Sequence, residues 1–243
     1  MSLLLKKLGH KVSGLSLDPL PGALFESAEL AEEFEFDLRG DIRDSTVVEN
    51  AFKLVKPDVV VHLAAQPLVL ASYADPIGTY ETNVMGTLHV LDAIRKTDGI
   101  KASLIITTDK VYKNVNRVEG YLETEPLGGD DPYSASKAMA DILTQSWVKS
   151  FPGSPVAIAR AGNVIGGGDV SPDRLLPDLL NSVSEGRVIE LRNPDAVRPW
   201  QHVLDCVYGY YLLIQALIRG EGRGEWNFGP GSESFVSVAN VVR

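Results

Sequence analysis

Short apolar runs rich in β-branched residues alternate with longer amphipathic stretches along the 243-residue chain. The short runs predict strands buried on both faces, because continuous apolar residues are typical of such strands. The stretches between them have the period of helices, and Asp44 or Ser45 can cap one of these. The predicted strands are 11–17, 59–63, 103–107, 156–160 and 226–230. The predicted helices are 45–56, 80–96, 134–149 and 173–185.

This alternation predicts an α/β fold, with a doubly wound parallel sheet of the Rossmann-like type. Glycine and proline become more frequent after Asn163. We therefore expect a sheet-forming domain over 1–162 and a smaller substrate-binding portion over 163–243 that wraps back over the sheet. Ligands of such sheets lie at the carboxyl ends of the strands. The residues that follow predicted strands are Asp18, Asp41, Ala64, Ala65, Gln66, Thr108, Asp109, Lys110 and Asn163.

Composition limits the possible partners. The net charge of -9 argues against a DNA-binding surface, which needs a dense basic stripe. A few local arginines can still bind a small anionic substrate. Cys206 is the single cysteine, so we expect no internal disulfide and a reducing compartment. No apolar run is long enough for a membrane span, and the N-terminal apolar part is too short for a secretion signal. We expect a cytoplasmic enzyme without bound metal.

The strongest chemical signal is the pair Tyr133 and Lys137, which are four residues apart on a predicted helix and share one face. A neighbouring ammonium favours the phenolate and lowers the tyrosine pKa, which would make a general base for a sugar hydroxyl. Thr108 follows a predicted buried strand and could hydrogen-bond the same substrate oxygen. The alternative for the pair alone is an ordinary surface Tyr/Lys pair.

A Ser/Thr at the end of a central strand, followed by Tyr-x-x-x-Lys on the next helix, resembles the catalytic set of short-chain dehydrogenases/reductases. The run Thr107-Thr108-Asp109-Lys110 is similar to the Thr-Asp-Glu run of nucleotide-sugar 4,6-dehydratases in the extended branch of that family. Lysine in place of glutamate is the pattern of the CDP-glucose subgroup. Segments 160–169 and 192–203 resemble the same subgroup over ten or more residues each.

The resemblance implies a lyase that removes water from CDP-glucose, with NAD as a cofactor that is regenerated in each cycle. NAD would take the hydride from C4 while Tyr133 takes the proton, and the hydride would return to C6. Asp109 would act as the acid for water loss and Lys110 would handle the C5 proton. Asp109 would then need a pKa raised by burial, and Lys110 one depressed by burial or by a cation such as Lys137. The alternative is an Asp–Lys pair in a solvated loop, or a mutual ion pair.

The resemblance also implies binding residues. On the cofactor side they are Asp18, Asp41, Ile42, Ala64, Ala65, Gln66 and Asn83, together with Tyr133 and Lys137. On the substrate side they are Asn163, Arg174 and Arg198 near the pyrophosphate, and Arg192 near the nucleoside. The alternatives are a polar residue on a helix face for Asn83 and a surface charge for each arginine.

The family begins with a strand and a Gly-x-x-Gly-x-x-Gly loop that receives the dinucleotide pyrophosphate. This triad does not occur near Met1, and Gly9 and Gly14 are wrongly spaced for it. A truncated gene, a longer chain of which this is a part, or a protein that folds without the strand would each explain this. The third is the least expected, because loss of a central strand exposes the edges of both neighbours.

Two other functions stay open from the sequence. An epimerase or reductase would share Tyr133, Lys137 and Thr108, and a catalytically inactive remnant could still bind a nucleotide sugar. The family also implies a homodimer built on the helices at 80–96 and 134–149. Products of this type commonly feed the synthesis of surface polysaccharides.

Overall fold

The structure is a computed structural model that describes residues 1–117, 119–153 and 155–242. Its strands are β1 (Ser13–Ser16), β2 (Phe36–Arg39), β3 (Val59–His62), β4 (Ala102–Thr108), β5 (Val156–Ala161), β6 (Val164–Ile165), β7 (Val197–Pro199), β8 (Gln201–His202), β9 (Gly224–Phe228) and β10 (Phe235–Ser237). Its α-helices are α1 (Ser2–Lys7), α2 (Leu24–Ser27), α3 (Ser45–Val55), α4 (Val69–Ala74), α5 (Pro76–Tyr80), α6 (Gly86–Lys96), α7 (Pro132–Ser150), α8 (Leu175–Ser184), α9 (Val203–Ile218) and α10 (Val238–Val242).

The central sheet has the strand order β3-β4-β5-β9, and every pair in it is parallel. β1 and β2 form a separate parallel pair. Among the described residues, β1 and β3 therefore each have a neighbour on one side only. The predicted α/β fold with a parallel sheet is confirmed.

Helices cover both faces of the central sheet. On one face, Leu104 of β4 and Ala159 of β5 pack against Tyr210 and Leu217 of α9. On the other face, Ile105 and Val156 belong to a second buried cluster with residues of α3 and α6. This two-sided burial explains the continuous apolar runs of β4 and β5, because neither face is left for polar residues.

α7 carries the chemistry-bearing tyrosine and lysine, and its start is fixed by local sequence. The Asp131 carboxylate caps it by accepting a hydrogen bond from the Ser134 backbone N–H at 2.9 Å. Pro132 occupies the first turn, where its missing N–H costs nothing. The predicted α3 is also confirmed, with Asp44 as its cap. Within the described ranges, no helix has the length and apolar character needed to cross a bilayer.

The structure contains elements that the sequence did not predict, and β2 and α9 are two of them. α9 is apolar on most of its surface, which weakens the helical period, and it packs on the sheet with six buried residues. β9 then pairs with β5. The segment after Asn163 therefore contacts the sheet twice, through α9 on one face and through β9 at its edge. The division at residue 162 stays a prediction.

Candidate active site

Thr108, Asp109, Lys110 and Tyr133 come together at the carboxyl end of β4. The Thr108 hydroxyl donates a hydrogen bond to Asp109 Oδ1 at 3.1 Å and accepts one from the Lys110 backbone N–H at 3.4 Å. The Lys110 ammonium lies 5.9 Å from the centroid of the Tyr133 ring. Four of the five predicted catalytic residues, three of them consecutive after β4 and one on α7, thus share one site.

Asp109 has surroundings that favour its protonated form. Burial raises the pKa of this carboxyl, and the Thr108 hydrogen bond and the charges of Lys110 and Arg198 oppose that rise. The direction is the one expected for an acid. Since a carboxyl that stays protonated can donate its proton, the geometry suits loss of a hydroxyl from a bound substrate.

Tyr133 departs from the expectation of a lowered pKa. Its side chain is 9% exposed, and burial raises its pKa, with opposing contributions from Thr108 and Arg174. The Lys137 ammonium donates its hydrogen bond to the Ile106 carbonyl at 2.8 Å, on the sheet side of the helix. The prediction that Lys137 lowers the Tyr133 pKa is therefore wrong for this structure, because burial outweighs the charges around the phenol.

Lys137 itself lies inside the fold. Burial lowers the pKa of its ammonium to about 8, and the Asp141 carboxylate one turn further along α7 opposes this. Because this pKa lies close to neutral pH, the amine can gain or lose a proton when its surroundings change.

Lys110 is exposed, so of the two conditions expected for its role, burial or a nearby cation, the structure does not provide the first. It lies in the 3-10 turn Asp109–Val111, in which Val111 is the buried residue. The turn directs Val111 into the core and leaves the Lys110 side chain at the surface beside Tyr133.

Asn83 joins the segment after β3 to the helix that carries Tyr133. Its Oδ1 accepts a hydrogen bond from the Gln66 backbone N–H at 2.8 Å. Its Nδ2 donates to the Gln66 carbonyl at 3.0 Å and to Ser136 Oγ at 2.9 Å. Asn83 is buried, so it is not a polar residue on a solvated helix face. Ala64 and Ala65 lie half-buried in the segment that it holds.

The other residues of the predicted cofactor side lie after β1 and β2. Asp18 is exposed. The Asp41 carboxylate accepts hydrogen bonds from the Arg43 backbone and guanidinium, which lower its pKa. Ile42 is buried against Gly86, where an added Cβ would lie 2.5 Å from Ile42 Cδ1. Asp41 is thus fixed locally, and Ile42 is fixed by packing.

The charges of two of the three predicted substrate arginines act on catalytic residues. Arg174 Nε is buried without a hydrogen-bond partner among the described residues, and its charge lowers the pKa of Tyr133. Arg198 is exposed, and its charge lowers the pKa of Asp109. Arg192 is also exposed and lies 3.7 Å from Asp173. Arg174 Nε also lies 3.9 Å from Asp169 Oδ2, outside hydrogen-bond distance, so its N–H is still suited to an anionic substrate group.

Asn163 stands at the end of β5 with a φ of 43°, in the left-handed region. Asparagine tolerates this conformation better than most residues. Its carbonyl accepts a hydrogen bond from the Gln201 backbone N–H at 3.2 Å. The turn places Asn163 at the same sheet edge as Thr108, because Thr108 and Ala161 are paired in the β4–β5 ladder.

A buried ion pair beneath the site was not found from the sequence. Arg160 is 1% exposed, and its Nε and Nη2 each donate to the Asp141 carboxylate at 2.8 Å. Asp141 also accepts from Thr107 Oγ1 at 3.0 Å, and Arg160 Nη1 donates to Tyr112 Oη at 2.8 Å. The signal available in the sequence was a lone arginine inside an apolar strand, but nothing there identifies its partner.

A parallel α/β sheet with Thr108 at a central strand end and Tyr133 and Lys137 on the next helix defines a protein of the short-chain dehydrogenase/reductase class. The model of the NAD dependent epimerase/dehydratase family matches residues 2–229. The chain belongs to this family, which confirms the resemblance stated from the sequence.

Known relatives include both 4,6-dehydratase subgroups. A CDP-glucose 4,6-dehydratase of Salmonella typhimurium is 45% identical over 253 residues, covering 100% of this chain and 70% of that protein. A dTDP-D-glucose 4,6-dehydratase of Dictyostelium discoideum is 31% identical, covering 84% of this chain and 48% of that protein. The structure of dTDP-glucose 4,6-dehydratase from Bacillus anthracis in complex with NAD superposes with a TM-score of 0.82 at 25% identity, over 99% of this chain and 72% of that one.

Proposed function

We propose that this protein is an NAD-dependent lyase that removes water from a nucleotide-activated glucose, with CDP-glucose preferred, to give the 4-keto-6-deoxy sugar. The observation that carries the proposal is Asp109, a carboxyl with a raised pKa hydrogen-bonded to Thr108 in the Tyr133 site. A dehydratase needs such an acid, whereas simple oxidation or reduction at one carbon does not. The preference for CDP rests on Lys110 and on the 45% identity to the Salmonella enzyme.

The residues at the strand ends fit a nicotinamide dinucleotide. Among the described residues, the Lys137 ammonium uses one of its three N–H donors, on Ile106, which leaves donors for a ribose. Asn83 holds the backbone of Gln66 in place beside α7. When bound, NAD would supply the acceptor for the C4 hydride and return that hydride to C6.

The protein's own groups divide the proton transfers between them. Tyr133 would take the O4 proton, with Thr108 hydrogen-bonding the same oxygen and the charge of Arg174 supporting the phenolate. Asp109 would give its proton to the departing C6 hydroxyl. Lys110, exposed beside the Tyr133 ring, would receive the C5 proton.

The substrate diphosphate would be held by Arg174 and Arg198, with Asn163 near the sugar or phosphate and Arg192 towards the nucleoside. The Arg174 Nε, which has no hydrogen-bond partner among the described residues and lies 3.9 Å from the Asp169 carboxylate, supports this placement most directly. Asp18, Asp41 and Ile42 would contact the adenosine half of NAD, since they follow β1 and β2 at the same end of their ladder.

The test is mass spectrometry of CDP-glucose after incubation with the protein and NAD, with dTDP-glucose and UDP-glucose in parallel. We expect loss of one water, fastest with CDP-glucose. Tyr133→Phe should slow that loss by at least ~100-fold, because it removes the proton acceptor. Tyr208→Phe, at an exposed position on α9, is the matched control and should leave the rate unchanged.

Persistent water loss in Tyr133→Phe would contradict the assigned role of Tyr133. An isomer of unchanged mass would instead favour the epimerase alternative.

We further propose a homodimer and a cytoplasmic location. Met139 and Ile142 are 47% and 53% exposed and lie three residues apart on α7, so they form part of one apolar face. Such a face supports association with a second copy through this helix. The free, buried Cys206 fits a reducing compartment, and the product would supply deoxysugars for surface polysaccharides.

A further inference from the structure

Gly162 leaves room for the Asp109 carboxyl. This glycine is buried directly after β5. A Cβ on Gly162 would lie 1.9 Å from Asp109 Oδ2 and 2.3 Å from Asp109 Cγ, and all three of its nearest atoms belong to Asp109. The carboxyl therefore fills the space that any side chain at position 162 would need.

The backbone of Gly162 is held in place. The Gln201 side chain donates from Nε2 to the Gly162 carbonyl at 2.8 Å and to the Phe228 carbonyl at 3.0 Å. The preceding residue, Ala161, pairs with Phe228 in the β5–β9 ladder. An added methyl at Gly162 would consequently displace the carboxyl, because the carboxyl can rotate and the strand end cannot easily move.

We propose that Gly162 is a positioning residue for Asp109 and that its lack of a side chain is required for the water-elimination step. The proposal rests on the function proposed above. In that step the C5–H bond breaks and its proton passes to a base. The C6–O bond breaks and the hydroxyl leaves as water with the Asp109 proton, while a C5–C6 double bond forms. Oxidation at C4 depends on Thr108, Tyr133 and Lys137. The three atoms nearest to a Cβ at position 162 all belong to Asp109, and none belongs to these residues.

The test compares Gly162→Ala with Gly229→Ala. Gly229 follows Phe228 on the paired strand, and a Cβ there meets nothing within 4 Å. In acid-quenched reactions with CDP-glucose and NAD, Gly162→Ala should form the water-loss product ~100-fold more slowly. Formation of the C4-oxidised sugar, two mass units below the substrate, should change less than about threefold, since it does not use the acid. Gly229→Ala should match the wild type in both.

Equal loss of both steps in Gly162→Ala would overturn the proposal, and so would unchanged water loss.

If the wild-type protein forms no dehydrated sugar, the proposed function has failed instead, and the contact between Gly162 and Asp109 is tested by stability alone. For that purpose the melting temperature is measured in a double-mutant cycle with Asp109→Ala. Gly162→Ala should lower the melting temperature when Asp109 is present and leave it nearly unchanged when residue 109 is alanine. An equal loss in both backgrounds would show that the two residues do not compete for the same space.

Discussion

Asp109 is the residue whose protonation state decides what the site can do. Burial raises the pKa of its carboxyl, and the positive charge of Arg198 opposes that rise. An acid catalyst is active when it is protonated. The dehydration rate should therefore be maximal at pH values below the raised pKa of Asp109 and should decline as the pH increases through that pKa. The pH dependence of dehydration thus reports directly on the environment of Asp109.

We predict that Arg198→Gln moves this alkaline decline to higher pH, because removal of the cation leaves burial less opposed. Single-turnover dehydration measured against pH, at saturating substrate, would show the shift. Arg192→Gln is the control, since Arg192 is not among the groups that affect Asp109. A decline that moves to lower pH in Arg198→Gln, or a rate that rises with pH through this range, would contradict the role of Asp109 as an acid.

The Arg160–Asp141 pair acts at the scale of elements, because it joins β5 to α7 while Thr107 attaches the same carboxylate to β4. Both side chains are almost fully buried. Loss of one partner from such a pair leaves an uncompensated charge in the core. The pair therefore fixes the helix that carries Tyr133 and Lys137 against the two central strands.

We predict that Arg160→Met lowers the free energy of unfolding by about 3–5 kcal/mol in urea titrations. Arg95→Met, which removes the exposed i,i+3 pair with Asp92, should cost at most about 1 kcal/mol. The double variant Arg160→Met/Asp141→Leu should be more stable than Arg160→Met, because the orphaned charge is removed. A double variant that is less stable than the single one would show that packing, rather than the charge, dominates at this place.

At the scale of the whole molecule, His62 couples stability to acid. It is buried in β3, and its Nε2 lies 3.0 Å from Thr87 Oγ1, which donates its own proton to the Asn83 carbonyl. Burial, with a contribution from the Lys137 charge, lowers the pKa of His62 to about 3 from 6.5. The unfolded chain thus takes up a proton between these two values and the folded chain does not.

We predict that the free energy of unfolding falls as the pH is lowered from about 6.5 towards 3, since the unfolded state binds the additional proton. His62→Gln keeps a donor for Thr87 and should show a smaller fall. His10→Gln, at an exposed position, is the control. Urea titrations across this pH range measure the slopes, and equal slopes for the wild type and His62→Gln would contradict the prediction.

Association of two copies is the other property of the whole molecule. A charge placed in an apolar interface is costly unless it is paired. We predict that Ile142→Glu shifts the protein to monomers in sedimentation experiments. Leu54→Glu introduces the same charge on α3 at a residue that is 54% exposed, and it should leave the assembly unchanged. A wild-type protein that sediments as a monomer would contradict the homodimer.

The strands β3, β4 and β5, the helix α7 and the central chemical set could be predicted from the sequence. The apolar runs of β3, β4 and β5 are readable because strands covered on both faces leave no place for polar residues. The cap of α7 and the spacing of Tyr133 and Lys137 are also local, so they could be predicted. α9 was missed because its apolar surface extends beyond one face and hides the helical period.

The protonation and the contacts of those residues depend on how the fold packs around them. Burial raises the pKa of Tyr133, where the spacing to Lys137 alone had predicted a lowered one. The contact of Gly162 with Asp109 joins residues far apart in the chain, and Arg160 finds its partner on α7 by the same route. Solvent exposure and contacts of this kind are set by how strands and helices pack. Spacing along a sequence identifies the reacting groups, and their pKa values and positions follow from the surroundings that the fold provides.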